Sequence, residues 1–329
     1  MAKPFTLAGV TGSTLGFALF VLPTQAAGAE LSWYGKLDVQ ALSVNQGLYR
    51  YADPGRQIGL PFSRLGLKCK QQLFDDVAVI FVYEWQVNGL DQANDADKLA
   101  TRNSYVGLSG SFGELVFGKN DTKFKKSEGK ADLFNEYIAD LAQLTAGQDR
   151  LKNIVGYQSP QWQGFTLAAT YQTAVGAEPA GGHDVSLSYG DTALKKYPWF
   201  VSVSMATELN QLDAKRLLLQ LPLWHQIDGV LAGGVMWQHS EHQQNGKSGT
   251  ARMAQLSYQR WQSAGTSWTG KLQWQQDDSK LRQKQRARLL SAGFDYQLQS
   301  DLILYSLISR LNLETDHDHA LAIGLKYSF

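Results

Sequence analysis

Histidine is the residue type in this chain that first suggests catalysis or metal binding. The chain has six histidines, and none falls with a serine and a carboxylate in a motif typical of nucleophilic catalysis. The sequence at 317–319, His-Asp-His, offers two imidazoles, which are too few to complete a metal site. The segment at 245–250 resembles part of a phosphate-binding loop, but Glu241 stands where that motif needs glycine. We therefore predict that the chain is not an enzyme and has no cofactor or bound metal.

One segment of the chain has an acidic residue at every fourth position. These residues are Glu128, Asp132, Glu136 and Asp140. On an α-helix they would form one acidic stripe, with the apolar residues of 133–144 largely on the opposite side. The spacing predicts a short amphipathic helix that packs its apolar side against the protein and presents its carboxylates to other polar groups. An external, solvated helix is the alternative interpretation.

Much of the remaining chain alternates between apolar and polar residues. At the end of the chain, Leu321, Ile323 and Leu325 share one parity, and small or polar residues occupy the other. A period of two is typical of a β-strand with one apolar and one polar face. The same pattern recurs at 31–41, 77–87, 165–173, 184–189 and 267–275. Counting these and similar segments indicates about sixteen strands of roughly ten residues.

The connections between these segments alternate in length. Tight ones include 74–76, 110–114, 160–164 and 299–301, and longer polar ones include 43–61, 88–100, 121–150, 174–182 and 277–285. Strands of this length can cross an apolar band of about 25 Å, and a closed barrel leaves no unpaired backbone groups in lipid. We therefore predict an all-β fold, a transmembrane antiparallel β-barrel of about 16 strands, wide enough to enclose a water-filled channel.

The first 29 residues are typical of a secretory signal peptide. Lys3 precedes an apolar segment without further charge, and the Ala-Gly-Ala sequence at 27–29 matches a cleavage site. A membrane anchor is less consistent with this segment, because it is short of the ~20 residues that span a bilayer. We expect cleavage after Ala29, with Ala26 as the competing site, and one barrel domain over 30–329.

Charge and cysteine content exclude several other classes of protein. The formal net charge is +1, and removal of Lys3 with the signal peptide would leave the mature chain neutral. This balance gives no support for binding to nucleic acid. The single cysteine, Cys69, excludes an intramolecular disulfide and a cysteine-based zinc site.

The parity of the predicted strands places several charged side chains in the lumen. Within residues 62–71 the apolar side chains take the outward positions, so Arg64 and Lys68 point inward. Glu84 and Lys152 share this inward parity in their own strands. Charges that line a channel set its selectivity, although these residues could also be no more than solvated lumen side chains.

Five segments together resemble the general porins of Gram-negative bacterial outer membranes. They are YGKLD (34–38), SRLGLK (63–68), RNSYVGLSGSFGELVFGK (102–119), NIVGYQSPQWQGFTLAATY (153–171) and GLKYSF (324–329). The resemblance implies a homotrimer of barrels with about sixteen strands each, through which small hydrophilic solutes and ions diffuse. It also implies contact with the lipid and lipopolysaccharide of the outer membrane.

The resemblance further implies that the third external loop folds into the barrel and narrows it opposite a cluster of basic residues. By matching motifs, Lys36, Arg64 and Arg102 correspond to this cluster, and about 121–150 corresponds to the loop. We therefore predict a pore constriction with a basic and an acidic side. The basic side comprises Lys36, Arg64, Lys68, Arg102 and Lys152, and the acidic side comprises Glu84, Asp132, Glu136 and Asp140.

The loop and one wall position depart from the family pattern. The Pro-Glu-Phe-Gly-Gly sequence common in enterobacterial porins is absent, and Gln158 stands where some members have a basic residue. The sequence therefore leaves open which loop carboxylates face the pore. It also leaves open a substrate-selective channel for one class of small solute, as the alternative to general diffusion.

The terminal strand is predicted to close the barrel by pairing with the strand that begins at Glu30. Phe329 would then lie in the periplasmic aromatic girdle. A final aromatic residue of this kind resembles the signal used by the outer-membrane assembly machinery, so we expect Phe329 to promote membrane insertion.

Overall fold

The computed structural model describes residues 29–88, 99–174, 181–262 and 265–329, and most of these residues belong to one sheet. The strands are β1 (Ala29–Val44), β2 (Gly55–Gly59), β3 (Arg64–Phe74), β4 (Val77–Val87), β5 (Leu99–Gly110), β6 (Gly113–Asp121), β7 (Arg150–Gln158), β8 (Phe165–Gln172), β9 (His183–Tyr189), β10 (Phe200–Leu209), β11 (Leu212–His225), β12 (Gly229–His242), β13 (Ser248–Trp261), β14 (Ser267–Asp277), β15 (Ala287–Gln299), β16 (Leu302–Leu313) and β17 (His317–Ser328). The predicted signal peptide lies outside the described residues apart from Ala29, so its cleavage stays a prediction.

The sheet closes on itself as a barrel. Consecutive strands pair antiparallel from β3 to β17, and residues 320–328 of β17 pair with 36–44 of β1. β2 and β3 lie end to end beside β1, which pairs with β3 over 29–36 and with β2 over 40–44. The wall is therefore sixteen strands around, and the predicted antiparallel barrel is confirmed. The terminal strand closes the ring, as its pattern predicted.

Apolar side chains cover the outer face of the strands. On β17, Leu321 and Ile323 are 51% and 60% exposed, whereas Ala322 between them is buried. Polar side chains such as Gln273 on β14 and Ser291 on β15 are buried in the interior. A soluble sandwich packs its apolar faces against each other instead. The barrel thus has the apolar outer surface and the satisfied backbone that lipid requires.

The lengths of the connections follow the predicted alternation only in part. The connections β10–β11, β12–β13 and β16–β17 are tight, although they lie at the end of the barrel with the longer loops. At the other end, residues 190–199 between β9 and β10 form an unusually long turn. The Asp191 carboxylate stabilises this turn by accepting hydrogen bonds from the backbone N–H groups of Ala193, Lys195, Lys196 and Tyr197. Leu194 then packs inward against an apolar cluster that includes Leu141.

The connection between β6 and β7, residues 122–149, contacts inward-facing side chains from widely separated strands and is called the inner loop below. The Gln273 side chain of β14 accepts a hydrogen bond from the backbone N–H of Leu133 at 2.8 Å. On another part of the wall, Gln238 of β12 donates to the carbonyl of Ala146 at 3.0 Å. Apolar side chains of the inner loop fill the space between these contacts in buried clusters shared with the strands.

Helices are few and short in the part of the chain that the structure describes. They are α1 (Lys123–Lys126) and a 3-10 helix (Leu141–Gln143). No helix within the described ranges is long and apolar enough to cross a membrane.

The predicted amphipathic helix across the four acidic residues is wrong. Asp132 accepts a hydrogen bond from the backbone N–H of Leu141 at 2.7 Å, and Asp140 accepts one from Ala142 at 2.7 Å. Such local hydrogen bonds compete with those of a helix. Glu136 has a φ of +59°, which no α-helix contains. The regular spacing of the carboxylates therefore does not place them on one face.

Candidate functional site

A cavity of about 820 Å³ lies between the inner loop and the wall formed by β1 to β7. Its charged lining residues from the strands are Arg64, Glu84, Arg102, Asp121 and Arg150, and those from the inner loop are Lys125, Lys126, Glu128, Glu136 and Asp140. Charged groups of both signs, from the strands and from the inner loop, thus line a space large enough for water and small solutes.

Glu136 on the inner loop is the carboxylate that contacts the predicted basic side. Its oxygens lie 2.5 Å from Lys36 Nζ and 3.4 Å from Arg102 Nη2, and they also accept a hydrogen bond from Arg64 Nη1. Burial would raise the pKa of Glu136, but the charges of Lys36 and Arg64 outweigh it and lower this pKa to about 2. The structure therefore brings together Glu136, Lys36, Arg64 and Arg102, which are called the wall cluster below.

Glu84 lies beside the arginines of the wall cluster rather than opposite them. Its carboxylate is 2.7 Å from Arg102 Nε and 3.5 Å from Arg64 Nε. It also accepts a hydrogen bond from the Tyr34 hydroxyl at 3.1 Å. Glu84 thus contacts both guanidinium groups, and all three side chains line the cavity. The predicted acidic side is thus split between the wall and the inner loop.

The structure places the predicted Asp132 and Asp140 away from the wall cluster. Asp132 is buried outside the cavity lining, and it also accepts a hydrogen bond from Gln273 at 2.7 Å. Burial, together with the nearby charge of Asp140, raises the pKa of Asp132. Asp140 lines the cavity, but its oxygens accept hydrogen bonds from the backbone N–H groups of Ala142 and Glu136. Both carboxylates hold the fold of the inner loop instead of facing the basic residues.

Two residues of the predicted basic side lie apart from the wall cluster. Lys68 is exposed on β3, closer to the turn than Arg64 and beyond the cavity lining. Lys152 is exposed on β7, because a bulge at Asn153, where φ is +57°, shifts the register against β6. Arg150 lines the cavity in its place and lies 3.2 Å from Asp121.

A second group, which the sequence analysis did not select, surrounds Tyr137 of the inner loop. Lys326 Nζ lies 3.1 Å from the centre of the Tyr137 ring, and Lys271 Nζ lies 4.1 Å from it. The group is called the tyrosine cluster and comprises Tyr137, Lys271, Lys326, Asp38, Asp295 and Tyr305. Lys326 could have been found from its sequence, because it shares the inward parity of Ala320 and Ala322 on the terminal strand.

A third group, the loop anchor, holds the first part of the inner loop against β11 and β12 and comprises Arg216, Glu128, Gln238 and Phe124. Arg216 is fully buried, donates to the Phe124 carbonyl and to Gln238 at 2.9 Å each, and lies 3.7 Å from Glu128. Burial raises the pKa of Glu128 to about 7, although Arg216 opposes this change. Leucines stand at both odd and even positions beside Arg216, so the sequence does not show that this side chain points inward.

Comparison with known proteins identifies the family. A family model described as Gram-negative porin matches residues 15–316. The major outer membrane protein P.IB of Neisseria sicca is 29% identical over 181 residues, which are 52% of this chain and 49% of the relative. Outer membrane protein U of Vibrio vulnificus is 28% identical over 134 residues, 41% of this chain and 38% of the relative. The chain thus spans about half the length, or less, of the curated relatives that it matches.

Solved structures share the fold at low sequence identity. An anion-selective porin from Comamonas acidovorans has a TM-score of 0.67 at 18% identity, with 92% of this chain and 100% of that chain covered. OmpF of Salmonella typhi has a TM-score of 0.68 at 12% identity, with 92% and 98% covered. The family match over most of the chain, together with a barrel whose outer face is apolar, shows that this protein belongs to the Gram-negative porin family of the bacterial outer membrane.

Proposed function

We propose that the protein is a channel, not an enzyme, through which small hydrophilic solutes and ions diffuse passively across the outer membrane. The observation that carries this proposal is the cavity of about 820 Å³ inside the closed barrel, with charged side chains on both of its sides. A sixteen-stranded barrel is wide enough to hold an aqueous channel. The inner loop occupies part of this width, so the remaining space limits the size of the solute.

We propose that the wall cluster is the pore constriction and sets the ion preference of the channel. Three positive charges surround Glu136, those of Lys36, Arg64 and Arg102. Glu84 forms ion pairs with the two arginines on the wall. Fixed charges at a narrow point change the local concentration of each ion, and they act more strongly where the surrounding protein excludes water. The Glu136 carboxylate partly neutralises the basic residues and so moderates their attraction for anions.

Conductance measurements in a planar bilayer test both parts of this proposal. We expect stepwise ohmic currents from the wild-type protein, and a shift of the reversal potential toward anions in a salt gradient for Glu136→Gln. Glu208→Gln makes the same chemical change at an exposed position near the end of β10 and should leave the reversal potential at the wild-type value. An absence of current steps would contradict the channel, and an unshifted Glu136→Gln barrel would contradict the constriction. Block by one solute at low concentration would favour a substrate-selective channel.

We also propose that the barrel assembles as a homotrimer and that lipid and lipopolysaccharide cover its remaining outer surface. A trimer form is recorded for OmpT of Vibrio cholerae, which has a TM-score of 0.66 at 13% identity. The exposed apolar side chains on the strands, such as Leu321 and Ile323, suit contact with either a neighbouring barrel or acyl chains. Sedimentation in a density-matched detergent should give the mass of three chains, and a single-chain mass would contradict the trimer.

A further inference from the structure

Tyr137, the residue after Glu136, is held by charged groups on three strands. Lys326 Nζ of β17 lies 3.1 Å from the ring centre, and Lys271 Nζ of β14 lies 4.1 Å from it. The Tyr137 hydroxyl donates a hydrogen bond to the Asp295 carboxylate of β15 at 3.1 Å, and Lys271 binds the same carboxylate at 2.7 Å. Ammonium groups close to an aromatic face are attracted by its electrons, and more strongly where water is excluded. The buried ring therefore has a closely defined position.

Lys326 also contacts the backbone of Glu136 directly. Its ammonium group donates a hydrogen bond to the Glu136 carbonyl oxygen at 3.0 Å. The Glu136 backbone N–H donates to Asp140 at 2.8 Å, so both backbone polar groups of Glu136 are fixed. The φ of +59° at Glu136 is uncommon for a residue with a side chain and persists only where its surroundings enforce it. The hydrogen bond from Lys326 helps to hold the Glu136 backbone in this conformation.

The positive charge of Lys326 is balanced by an aspartate on β1, the strand that also carries Lys36. Lys326 Nζ lies 3.8 Å from Asp38, and Asp38 accepts a hydrogen bond from the Tyr305 hydroxyl at 2.9 Å. The Tyr305 ring meets the Tyr137 ring edge-on, with 4.9 Å between their centres. The tyrosine cluster is thus continuous with the wall cluster through two inward positions of β1 and through the Glu136–Tyr137 peptide unit.

We infer that Lys326 is a positioning residue for ion selectivity, which it controls by holding Glu136 against Lys36 and Arg64. This inference rests on the proposed role of Glu136 in the constriction. Lys326 is buried and lies outside the residues that line the cavity. It acts on passing ions through the position of the Glu136 carboxylate. Without Lys326, the backbone of Glu136 loses its hydrogen bond, Tyr137 loses a cation from its ring, and the carboxylate moves away from the basic wall.

The sign of the selectivity change separates positioning from a direct effect of charge. Removing a positive charge from the interior would, by itself, make the channel more attractive to cations. Release of Glu136 from the wall leaves Lys36, Arg64 and Arg102 less neutralised, which makes the channel more attractive to anions. Lys326→Met should therefore shift the reversal potential toward anions, in the same direction as Glu136→Gln and by at least half of that shift.

The experiment compares Lys326→Met, Lys326→Arg, Glu136→Gln and the double variant Lys326→Met with Glu136→Gln in a salt gradient. We expect Lys326→Arg to restore most of the wild-type reversal potential, because it keeps a buried donor and a positive charge near Tyr137. The double variant should match Glu136→Gln alone, since the positioned group is already absent. If Lys326→Met does not insert, Tyr137→Leu removes the ring from the loop side without altering a strand and should give the same anion shift.

Three results would overturn the inference: a shift of Lys326→Met toward cations, no shift at all, or a double variant in which the two separate shifts add. A reversal potential of Glu136→Gln equal to that of the wild type would instead refute the proposed role of Glu136, and the inference with it. The two failures are distinguishable, because a shifted Glu136→Gln barrel beside an unshifted Lys326→Met barrel refutes only the inference.

Discussion

Glu128 and Glu136 belong to the same inner loop and each faces an arginine, but the two carboxylates meet different surroundings. The Glu136 side chain is 26% exposed and touches three basic residues. The Glu128 side chain is 5% exposed, with Arg216 at 3.7 Å and a hydrogen bond from Gln148 at 2.7 Å. Burial raises the pKa of Glu128 to about 7, whereas the basic residues lower that of Glu136 to about 2.

The difference shows that similar ionic contacts serve two purposes along one loop. At the wall cluster, several charges share a partly solvated space, so Glu136 stays ionised and contributes a fixed field to the cavity. At the loop anchor, desolvation offsets much of the attraction between Arg216 and Glu128. The anchor therefore depends more on the hydrogen bonds of Arg216 to Phe124 and Gln238, and on its packing over the Phe124 ring at 4.3 Å.

The largest effect is expected from Arg216→Ala, which breaks the loop anchor. The substitution leaves the Phe124 carbonyl without its donor and Glu128 without its cation, and it opens a space over the Phe124 ring. Removing one partner of a buried ion pair destabilises a protein by about 3–5 kcal/mol, and we expect a loss of this order in the free energy of unfolding. Urea titration of the barrel in detergent measures this loss.

Arg260→Ala is the matched control for this experiment. Arg260 pairs with Asp228 at 3.0 Å, but both side chains are about half exposed. Exposed pairs contribute about 0–1 kcal/mol, so this variant should unfold close to the wild-type urea concentration. Equal losses in the two variants would show that the loop anchor does not stabilise the barrel.

The next largest effect is a dependence of stability on pH that originates at Glu128. Because its pKa rises from 4.5 to about 7 on folding, the folded barrel binds this proton more tightly than the unfolded chain does. The stability contributed by protonated Glu128 is complete below pH 4.5 and is lost as the pH rises through about 7. From pH 5 to pH 8 we expect this one group to lower the free energy of unfolding by an amount on the order of 2 kcal/mol.

Two glutamine variants test whether this dependence belongs to the anchor. Glu128→Gln cannot ionise and should remove the part of the loss in stability between pH 5 and pH 8 that comes from this carboxyl group. Glu136→Gln should retain it, because the lowered pKa of Glu136 places its titration below pH 4.5. If the two variants show the same pH dependence, the two carboxylates do not differ in the way that their surroundings indicate.

Arg64→Glu is expected to change stability less but ion selectivity clearly. Arg64 is partly exposed, so the loss of its contacts should cost about 1 kcal/mol. The reversed charge lies beside Glu84 and Glu136, and it should shift the reversal potential toward cations in a salt gradient. Arg286→Glu makes the same change at a side chain that is 70% exposed in a loop and should shift it far less. An unchanged reversal potential for Arg64→Glu would exclude Arg64 from the constriction.

The alternation of the sequence predicted the barrel because the apolar outer face is a property of each strand by itself. It does not depend on which strands are neighbours. Parity failed at Lys152, where the bulge at Asn153 adds a residue to one strand only. Such a bulge depends on how β7 pairs with β6, and the sequence of β7 alone does not indicate it. The prediction therefore holds for the regular parts of the wall and fails where one strand adapts to the next.

The candidate site was predictable where it depends on strands and less so where it depends on the inner loop. Lys36 and Arg64 are paired on β1 and β3, where the parity is regular. Arg102 joins them because a register shift between β4 and β5 lies opposite Glu84, and only the family resemblance predicted its place. The spacing of the loop carboxylates suggested a helix, but Asp132 and Asp140 bind backbone N–H groups that a helix would use. The hydrogen-bond partners of Asp132 and Asp140 are set by the compact fold of the inner loop, and the spacing of four residues does not predict that fold.

Deletion of Phe329 is expected to have the smallest effect on the surroundings of Glu128 and Glu136. The Phe329 backbone exchanges two hydrogen bonds with Gly35, at 2.9 and 3.1 Å, and its ring packs where a Cβ atom on Gly35 would clash. The ring is 59% exposed at the end of the barrel. We expect deletion to reduce the yield of inserted barrel in isolated outer membranes, while Phe329→Tyr, which keeps an aromatic ring, retains the wild-type yield.

The barrels that do form without Phe329 should have wild-type conductance, reversal potential and pH dependence. Gly35 precedes Lys36 on β1, and Phe329 follows β17, so Phe329 is joined to the wall cluster through the backbones of these two strands. The remaining pairing of β1 with β17, from Lys36 to Val44, is sufficient to hold Lys36 inward. A normal yield with an altered reversal potential would reverse this assignment, because it would show that Phe329 positions Lys36 and does not promote insertion.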